Sequence, residues 1–210
     1  SELEEKTREM ERFVYTVSHD LKNPLVAIHG YLSMLPRQCT SDISECKFYL
    51  ERISKNIDAM EELITDLLEF SRIGRITQQQ EDIDSDELVK GICDEFKRRE
   101  AEVKFIIQKN LPVIRGERNR IAQVFTNLID NAIKYMGDQP QPKIEIGCRD
   151  AGDKWQFYVK DNGIGIHAEH LSRLFKPFER IEDERAANVR GTGIGLAIVK
   201  KIVDLHVGEV

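Results

Sequence analysis

The feature that most constrains this chain is an apolar seam running through its first third. From Met10, the apolar positions Val14, Val17, Leu21, Leu25, Ile28, Leu32 and Leu35 follow in steps of 4, 3, 4, 4, 3, 4 and 3, with Leu3 one heptad earlier. A repeat averaging 3.5 residues keeps one edge of a helix against a partner helix. The extra four-residue step between Leu21 and Leu25 is a stutter, which locally unwinds a supercoil. Pro24 sits inside it and removes one hydrogen bond from the helix interior, so a kink is expected there. The pattern stops over Pro36 to Asp42 and resumes at Cys46, Leu50, Ile53, Ile57, Met60, Ile64 and Leu67, in steps of 4, 3, 4, 3, 4 and 3. Two long amphipathic helices with a short connection form an antiparallel hairpin. Phe13, Leu63, Leu68 and Phe70 flank the seam. One hairpin cannot cover that much apolar surface, so the expectation is a homodimer closing a four-helix bundle.

Residues 74–82 are polar and aperiodic and read as a linker. They divide the 210 residues into a helical hairpin, 1–73, and a mixed α and β domain, 83–210. In the second part the patterns predict helices over Asp86–Arg98, Glu117–Met136 and Gly193–Leu205. They predict strands at Val103–Gln108, Lys143–Cys148 and Lys154–Lys160, with Gly152 in the turn between the last two. The expected class is therefore α+β: the long hairpin, then a mixed α and β domain. The charges, 31 Lys and Arg against 37 Asp and Glu, leave a net −6, which argues against a nucleic-acid partner. No apolar run reaches the ~18 residues of a membrane span, and Ser1-Glu2-Leu3-Glu4-Glu5-Lys6 is not a signal peptide, so a cytoplasmic segment without membrane contact is expected. Cys39, Cys46, Cys93 and Cys148 lack metal-ligand spacing and read as reduced thiols.

Three patterns carry chemistry. His19 lies off the seam, on the wet face beside the stutter, with Asp20 next to it and Asn23 one turn on. A neutral imidazole can attack phosphorus, and a carboxylate bonded to the ring raises its nucleophilicity. On the helix over 117–136, Gln123, Asn127, Asn131 and Lys134 form a stripe opposite the apolar face of Ile121, Phe125, Leu128, Ala132 and Ile133. Amide oxygens suit a hard cation such as Mg²⁺, and a nearby lysine suits phosphates. In the strand over 154–160, Trp155, Phe157 and Val159 share a face. Asp161 continues their parity, which puts a carboxylate on the core side, where a ligand amino group would satisfy it. Asn162-Gly163-Ile164-Gly165 then turns the chain. A second glycine cluster, Gly191-Thr192-Gly193-Ile194-Gly195-Leu196, opens the last helix, and bare amides at a helix N-terminus bind phosphate. Between the clusters, Leu174–Arg180 is followed by a polar, weakly patterned stretch, residues 181–190, that reads as a lid.

Taken together, these segments resemble the sensor histidine kinases of two-component systems across almost the whole chain. Phe13 to Leu25 is similar to the H box of that family, Asn127 to Tyr135 to the N box, Asp161 to Gly165 to the G1 box, Phe175 to Phe178 to the F box and Gly191 to Leu196 to the G2 box. The resemblance implies a dimerisation and phosphotransfer hairpin followed by a two-layer α/β sandwich, the ATP-binding fold shared with gyrase, heat-shock chaperone and mismatch-repair ATPases. It implies His19 as phosphoacceptor, with Asp20 and Asn23 assisting, and the same pair helping to position a water against the phosphoaspartate of a response regulator. It implies Asn131 as Mg²⁺ ligand, Asn127, Lys134 and Tyr135 near the nucleotide, and Asp161 on the adenine amino group. Gly163, Gly165, Phe178, Arg180, Gly191, Thr192, Gly193, Gly195 and Leu196 complete the implied ATP site. The implied partners are a second copy, a response-regulator receiver domain and an upstream sensor domain outside this chain. Members of the family often continue after the last helix with His-Gly-Gly and further strands. Here Val207 takes a usual glycine position and the sequence ends at Val210, so a C-terminally truncated ATP-binding domain is expected.

Overall fold

The computed structural model describes residues 16–33, 43–74, 79–181, 185, 189 and 191–210. The expected seam positions Leu3, Met10, Val14 and Leu35, the flanking Phe13, the Pro36–Asp42 connection, linker residues 75–78 and most of the lid beyond Ile181 lie outside the described residues. The chain divides into two compact units at residues 71 and 72.

In the first unit, residues 16–33 are helical throughout (α1) and Ile43–Arg72 form α2. Pro24 sits within α1 without ending it. Its missing N–H leaves the Asp20 carbonyl without the usual helical donor, one residue from His19. Tyr31, near the end of α1, meets Tyr49, near the start of α2, with ring centroids 6.1 Å apart, as an antiparallel hairpin requires. The seam splits into two sets. On α2, Cys46, Ile53, Met60 and Leu67 are buried or half-buried, whereas Leu50, Ile57 and Ile64, half a heptad away, are exposed. On α1, Leu21 and Ile28 are half-buried, whereas Leu25 and Leu32 are exposed. One set closes the hairpin and the other remains open on a single chain.

The second unit contains β1 (Glu81–Asp84), α3 (Ser85–Arg99), β2 (Lys104–Ile107), β3 (Val113–Gly116), α4 (Arg118–Lys134), β4 (Lys143–Asp150), β5 (Trp155–Asp161), a 3-10 turn (Ala168–Arg173) and α5 (Gly195–Leu205). Strands β1 and β3 pair antiparallel; β2, β4 and β5 form a sheet in that order, with β2 parallel and β5 antiparallel to β4. Ile144, Ile146 and Cys148 alternate inward from β4 and meet Val89 and Cys93 of α3 and Phe125, Ile129 and Ala132 of α4 in one buried cluster. Phe157 of β5 stacks edge-on against Phe125, centroids 5.5 Å apart. Asp84 caps α3 by accepting from the Asp86 and Glu87 amides at 2.9 and 3.1 Å. Helix α5 buries Ala197, Ile198, Val199 and Ile202 and packs along α4.

Two sequence expectations are corrected. Glu81 and Asp82 belong to β1, not to the linker. The strand Glu-Asp-Ile-Asp has one apolar residue and forms because Ile83 pairs with Ile114 across the ladder, not from propensity. Cys93 and Cys148 are buried free thiols, but Cys46 is disulfide-bonded. Spacing along a sequence does not report separation in space, which is what decides a disulfide. Among the described residues no helix is long and apolar enough to cross a membrane.

Candidate functional site

The phosphoacceptor candidate is accessible. His19 has 57% of its side chain exposed, and its Nδ1 lies 3.2 Å from Asp20 Oδ1. Asn23 Nδ2 lies 3.3 Å from the same ring nitrogen. The two neighbours ask opposite things of Nδ1. A carboxylate needs Nδ1 protonated, whereas an amide N–H needs it bare. The Asp20 bond leaves the proton on Nδ1 and the lone pair on the outward Nε2. The Asn23 bond gives the reverse tautomer.

The nucleotide candidates meet in the second unit through several close contacts. At the end of α4, the Tyr135 carbonyl accepts from the Ile164 amide at 3.1 Å, joining the N-box segment to the G1 turn. Gly163 lies so close to this carbonyl that a Cβ there would collide with it and would stand 3.1 Å from Met136 Cα. The first glycine of that cluster is therefore required by the approach of α4. Gly193, at φ +71°, makes the matching contact on the other side: a Cβ would fall 3.2 Å from the Phe178 backbone and 3.3 Å from Arg180 Cγ. The Phe178 amide donates to the Gly193 carbonyl at 3.0 Å. Phe178 itself has φ +63°, a strained conformation for a bulky residue that concentrates at binding loops. Gly195, at the start of α5, stands beside the α4 stripe; a Cβ on it would be 3.4 Å from Asn127 Oδ1 and 3.9 Å from Asn131 Nδ2. Two described residues of the lid are tied to these segments, the Val189 carbonyl accepting from Arg180 and Arg185 donating to the Ile164 carbonyl, both at 2.8 Å.

Two features of this region ask for an anionic ligand. The start of α5 has no side-chain cap and no acidic residue in its first turn, so its amide dipoles face outward uncompensated. Thr192 Oγ1 accepts the Ile194 amide at 3.3 Å, outside the helix proper. Asn127 Nδ2 is buried without a hydrogen-bond partner, and such a donor is costly unless a ligand acceptor reaches it. The residues therefore fit a nucleotide phosphate. For a cation, no group of three or more His, Cys, Asp or Glu suited to a metal exists among the described residues. The donor set is the Asn131 amide, a hard oxygen that suits Mg²⁺ when phosphate oxygens and water complete the shell.

Several expected residues differ in detail. Asp161 is exposed, not buried. Its parity is as read, since Phe157 and Val159 on that face pack into the core, but the cover ends before position 161. Its Oδ1 accepts the Gly163 amide at 2.8 Å, a donor two residues away in the same turn. The Lys134 ammonium is engaged by Asp130 at 2.8 Å, an i, i+4 pair that the stripe reading passed over. Gly165 has φ +68°, as a tight turn needs, whereas Gly191 faces open space. Tyr135 and Leu196 are partly exposed at the candidate site. Arg185 was missed, as no residue pattern marks which lid arginine returns to the turn.

An uncapped helix end beside an amide stripe and a separate exposed histidine on a helical hairpin are the arrangement expected of a histidine kinase core. Residues 9–76 match the family model "His Kinase A (phospho-acceptor) domain", and residues 116–210 match "Histidine kinase-, DNA gyrase B-, and HSP90-like ATPase". The chain belongs to the sensor histidine kinases. It is 38% identical over its whole length to the methanogenesis regulatory histidine kinase FilI of Methanothrix harundinacea and covers 24% of that protein. It is 40% identical, again over its whole length, to cyanobacterial phytochrome B of Nostoc sp. and covers 28% of it. The chain thus spans about a quarter of the length of these relatives. The crystal structure of histidine kinase ThkA in complex with response regulator protein TrrA shares the fold, with a TM-score of 0.71 and 24% identity over 99% of this chain and 60% of that one.

Proposed function

We propose that this chain transfers the γ-phosphoryl group of ATP to His19 and passes it on to an aspartate of a response-regulator receiver domain. The observation that carries the reading is the setting of His19: its side chain is 57% exposed and its Nδ1 lies 3.2 Å from Asp20 Oδ1, a contact that favours the tautomer with the lone pair on Nε2. The Nε2 lone pair attacks the γ-phosphorus, a P–N bond forms, and the bond to the bridging oxygen breaks with its electron pair leaving on ADP. The imidazolium that develops keeps its Nδ1 proton against the Asp20 carboxylate. In the ATP domain, Asp161 keeps Oδ1 on the turn and offers Oδ2 to the adenine amino group. Asn127 Nδ2 and the first amides of α5 hold phosphate oxygens. The loop residues Phe178, Arg180, Gly191, Thr192, Gly193, Gly195 and Leu196 close the site, and Lys134 and Tyr135 border it. Asn131 would hold Mg²⁺, which offsets charge on the transferring phosphoryl group.

Asn23 reads the other tautomer of His19. It serves the reverse task, orienting a water against the phosphoaspartate of the regulator. The open set Leu25, Leu32, Leu50, Ile57 and Ile64 supports a homodimer, because a second hairpin is the simplest cover for a heptad-spaced apolar stripe. The segment functions on the cytoplasmic side, where ATP is available. The test is incubation with γ-labelled ATP and Mg²⁺. An acid-labile, base-stable label lost in His19→Gln is expected. Acid-stable label, or label that survives the substitution, overturns the assignment.

A further inference from the structure

We propose that His206 is a positioning residue for the nucleotide site: its imidazole sets the spacing of α4 and α5 from the end opposite the phosphates. The inference rests on the ATP-binding reading above. His206 is the residue that ends α5. Its Nδ1 lies 2.8 Å from the Ile202 carbonyl, one turn back on the same helix. Its Nε2 accepts the Glu117 amide at 3.3 Å, across the chain at the start of α4. A carbonyl can only accept, so Nδ1 carries the proton; Nε2 is then the bare nitrogen that an amide N–H needs. Both ring nitrogens are thus committed, and the tautomer is fixed from both sides. The start of α4 depends on this bond, because Glu117 makes no side-chain cap of its own. The backbone of β3 seats the ring as well: a Cβ on Gly116 would lie 3.2 Å from His206 Cδ2 and Nε2.

The same two helices meet again at their other ends. There Gly195 of α5 faces Asn127 and Asn131 of α4, and the unpartnered Asn127 Nδ2 waits beside them. Helices α4 and α5 therefore run antiparallel, pinned by His206 at one end and forming the phosphate cradle at the other. Ten residues separate Glu117 from Asn127, or about 15 Å of helix. A rigid helix carries a shift at the pin to the cradle, and phosphate binding needs the amides of α5 and the Asn127 donor in fixed relation. His206 lies outside every glycine and asparagine cluster, so it acts on the site only through the helices.

The two bonds can be removed separately in the full chain. His206→Gln places an amide oxygen near the Nε2 position and keeps an acceptor for Glu117. His206→Asn places its amide near Nδ1, keeps a donor for Ile202 and leaves Glu117 unmet. His206→Phe keeps only the ring. ATP affinity is measured by calorimetry with Mg²⁺ at a temperature where circular dichroism shows each variant folded. His206→Asn and His206→Phe are expected to bind ATP about tenfold more weakly, with His206→Gln within about twofold of the parent. Where His206→Asn does not fold, Gly116→Ala displaces the ring by steric contact and is expected to weaken ATP in the same direction. A role confined to stability would lower the melting temperature of His206→Asn and His206→Phe yet leave the affinity of the folded protein unchanged, and that result overturns the proposal. Equal weakening in Gln and Asn also overturns it. Failure of the parent chain to bind ATP would instead strike the ATP reading, so the two failures are distinct.

Discussion

Replacing Asp161 by Asn should change which nucleotide base the site prefers while leaving the turn intact. In the structure one carboxylate oxygen is already occupied: Oδ1 accepts the Gly163 amide at 2.8 Å. An asparagine can keep that bond through its own Oδ1 and must then present an NH₂ where the second carboxylate oxygen stood. Against the adenine amino group this sets donor against donor. A hydrogen bond to a charged acceptor is worth roughly 1.5–3 kcal/mol, or about one to two decades in affinity. Asp161 is exposed, so water competes and the lower half of that range applies; ATP affinity should fall about tenfold to thirtyfold. Guanine carries a carbonyl oxygen at the corresponding position and should gain a donor, so the preference between ATP and GTP should move toward GTP by more than ATP affinity alone falls. Asp161→Ala removes both bonds. It should lose ATP affinity to a similar extent and also lower the nucleotide-free melting temperature by a few degrees, for a turn bond worth about 1 kcal/mol. Calorimetric titration of each variant with ATP and with GTP, beside a melt without nucleotide, reads all three quantities. An unchanged ratio between ATP and GTP in Asp161→Asn would refute the adenine role and leave Asp161 as a turn residue.

Val207 sits at φ +57° after the end of α5 with 81% of its surface exposed. The left-handed conformation costs a β-branched residue about 1–2 kcal/mol, of which glycine returns roughly half through its freer unfolded chain, so Val207→Gly should raise stability by about 1 kcal/mol and the melting point by about 3 °C, read by calorimetry. Ile57 is 44% exposed and Ile53 only 9%: Ile57→Asp should weaken self-association at least about a hundredfold with helicity kept, whereas Ile53→Asp should unfold the hairpin, as read by sedimentation and circular dichroism. Burial pushes the Cys93 thiol up to about 11 from an ordinary value near 9. The unfolded thiol ionises first as pH rises, so stability should hold below pH 9 and fall by about 1–2 kcal/mol between pH 9 and 11, a loss absent from Cys93→Ala in urea melts at pH 8 and pH 10.5.

What the sequence made legible follows from how tightly residue type is bound to a job. The paired glycine clusters were readable because only glycine lets backbones approach so closely, and the structure places Gly163 against Tyr135 and Met136, Gly193 against Phe178 and Arg180, and Gly195 beside Asn127 and Asn131 of the amide stripe. The long periodic segments gave α2, α3, α4 and α5 and the β4–β5 pair nearly to their ends. Strands β1 and β3 were not readable, since four residues with one or two apolar positions become a strand only when a partner is in register. Asp161 shows the limit of parity: alternation along β5 places its face correctly and says nothing of where the covering layer stops. Phe178 shows another, because no residue preference marks a phenylalanine at positive φ.

The seam carries a more general point about reading helical hairpins. A single heptad pattern, with both of its apolar positions strongly filled, was read as one surface. In the structure it is two surfaces, one of them closing α1 on α2 and the other exposed on each helix. A strict two-helix seam needs one stripe per helix. Two adjacent stripes on both helices exceed what the hairpin can use, and the excess lies on the side carrying Leu25, Leu32, Leu50, Ile57 and Ile64. His19 lies on neither stripe. If the open stripe is covered by a second chain, that cover falls on a face of the helix other than the one carrying the histidine, as the proposed phosphotransfer requires. The stutter at Leu21–Leu25 and Pro24 mark where the sequence departs from its repeat, just after the candidate phosphoacceptor, while the helix itself runs on through both. The repeat thus specifies the scaffold, and the candidate phosphoacceptor lies off it, beside the step at which the repeat changes.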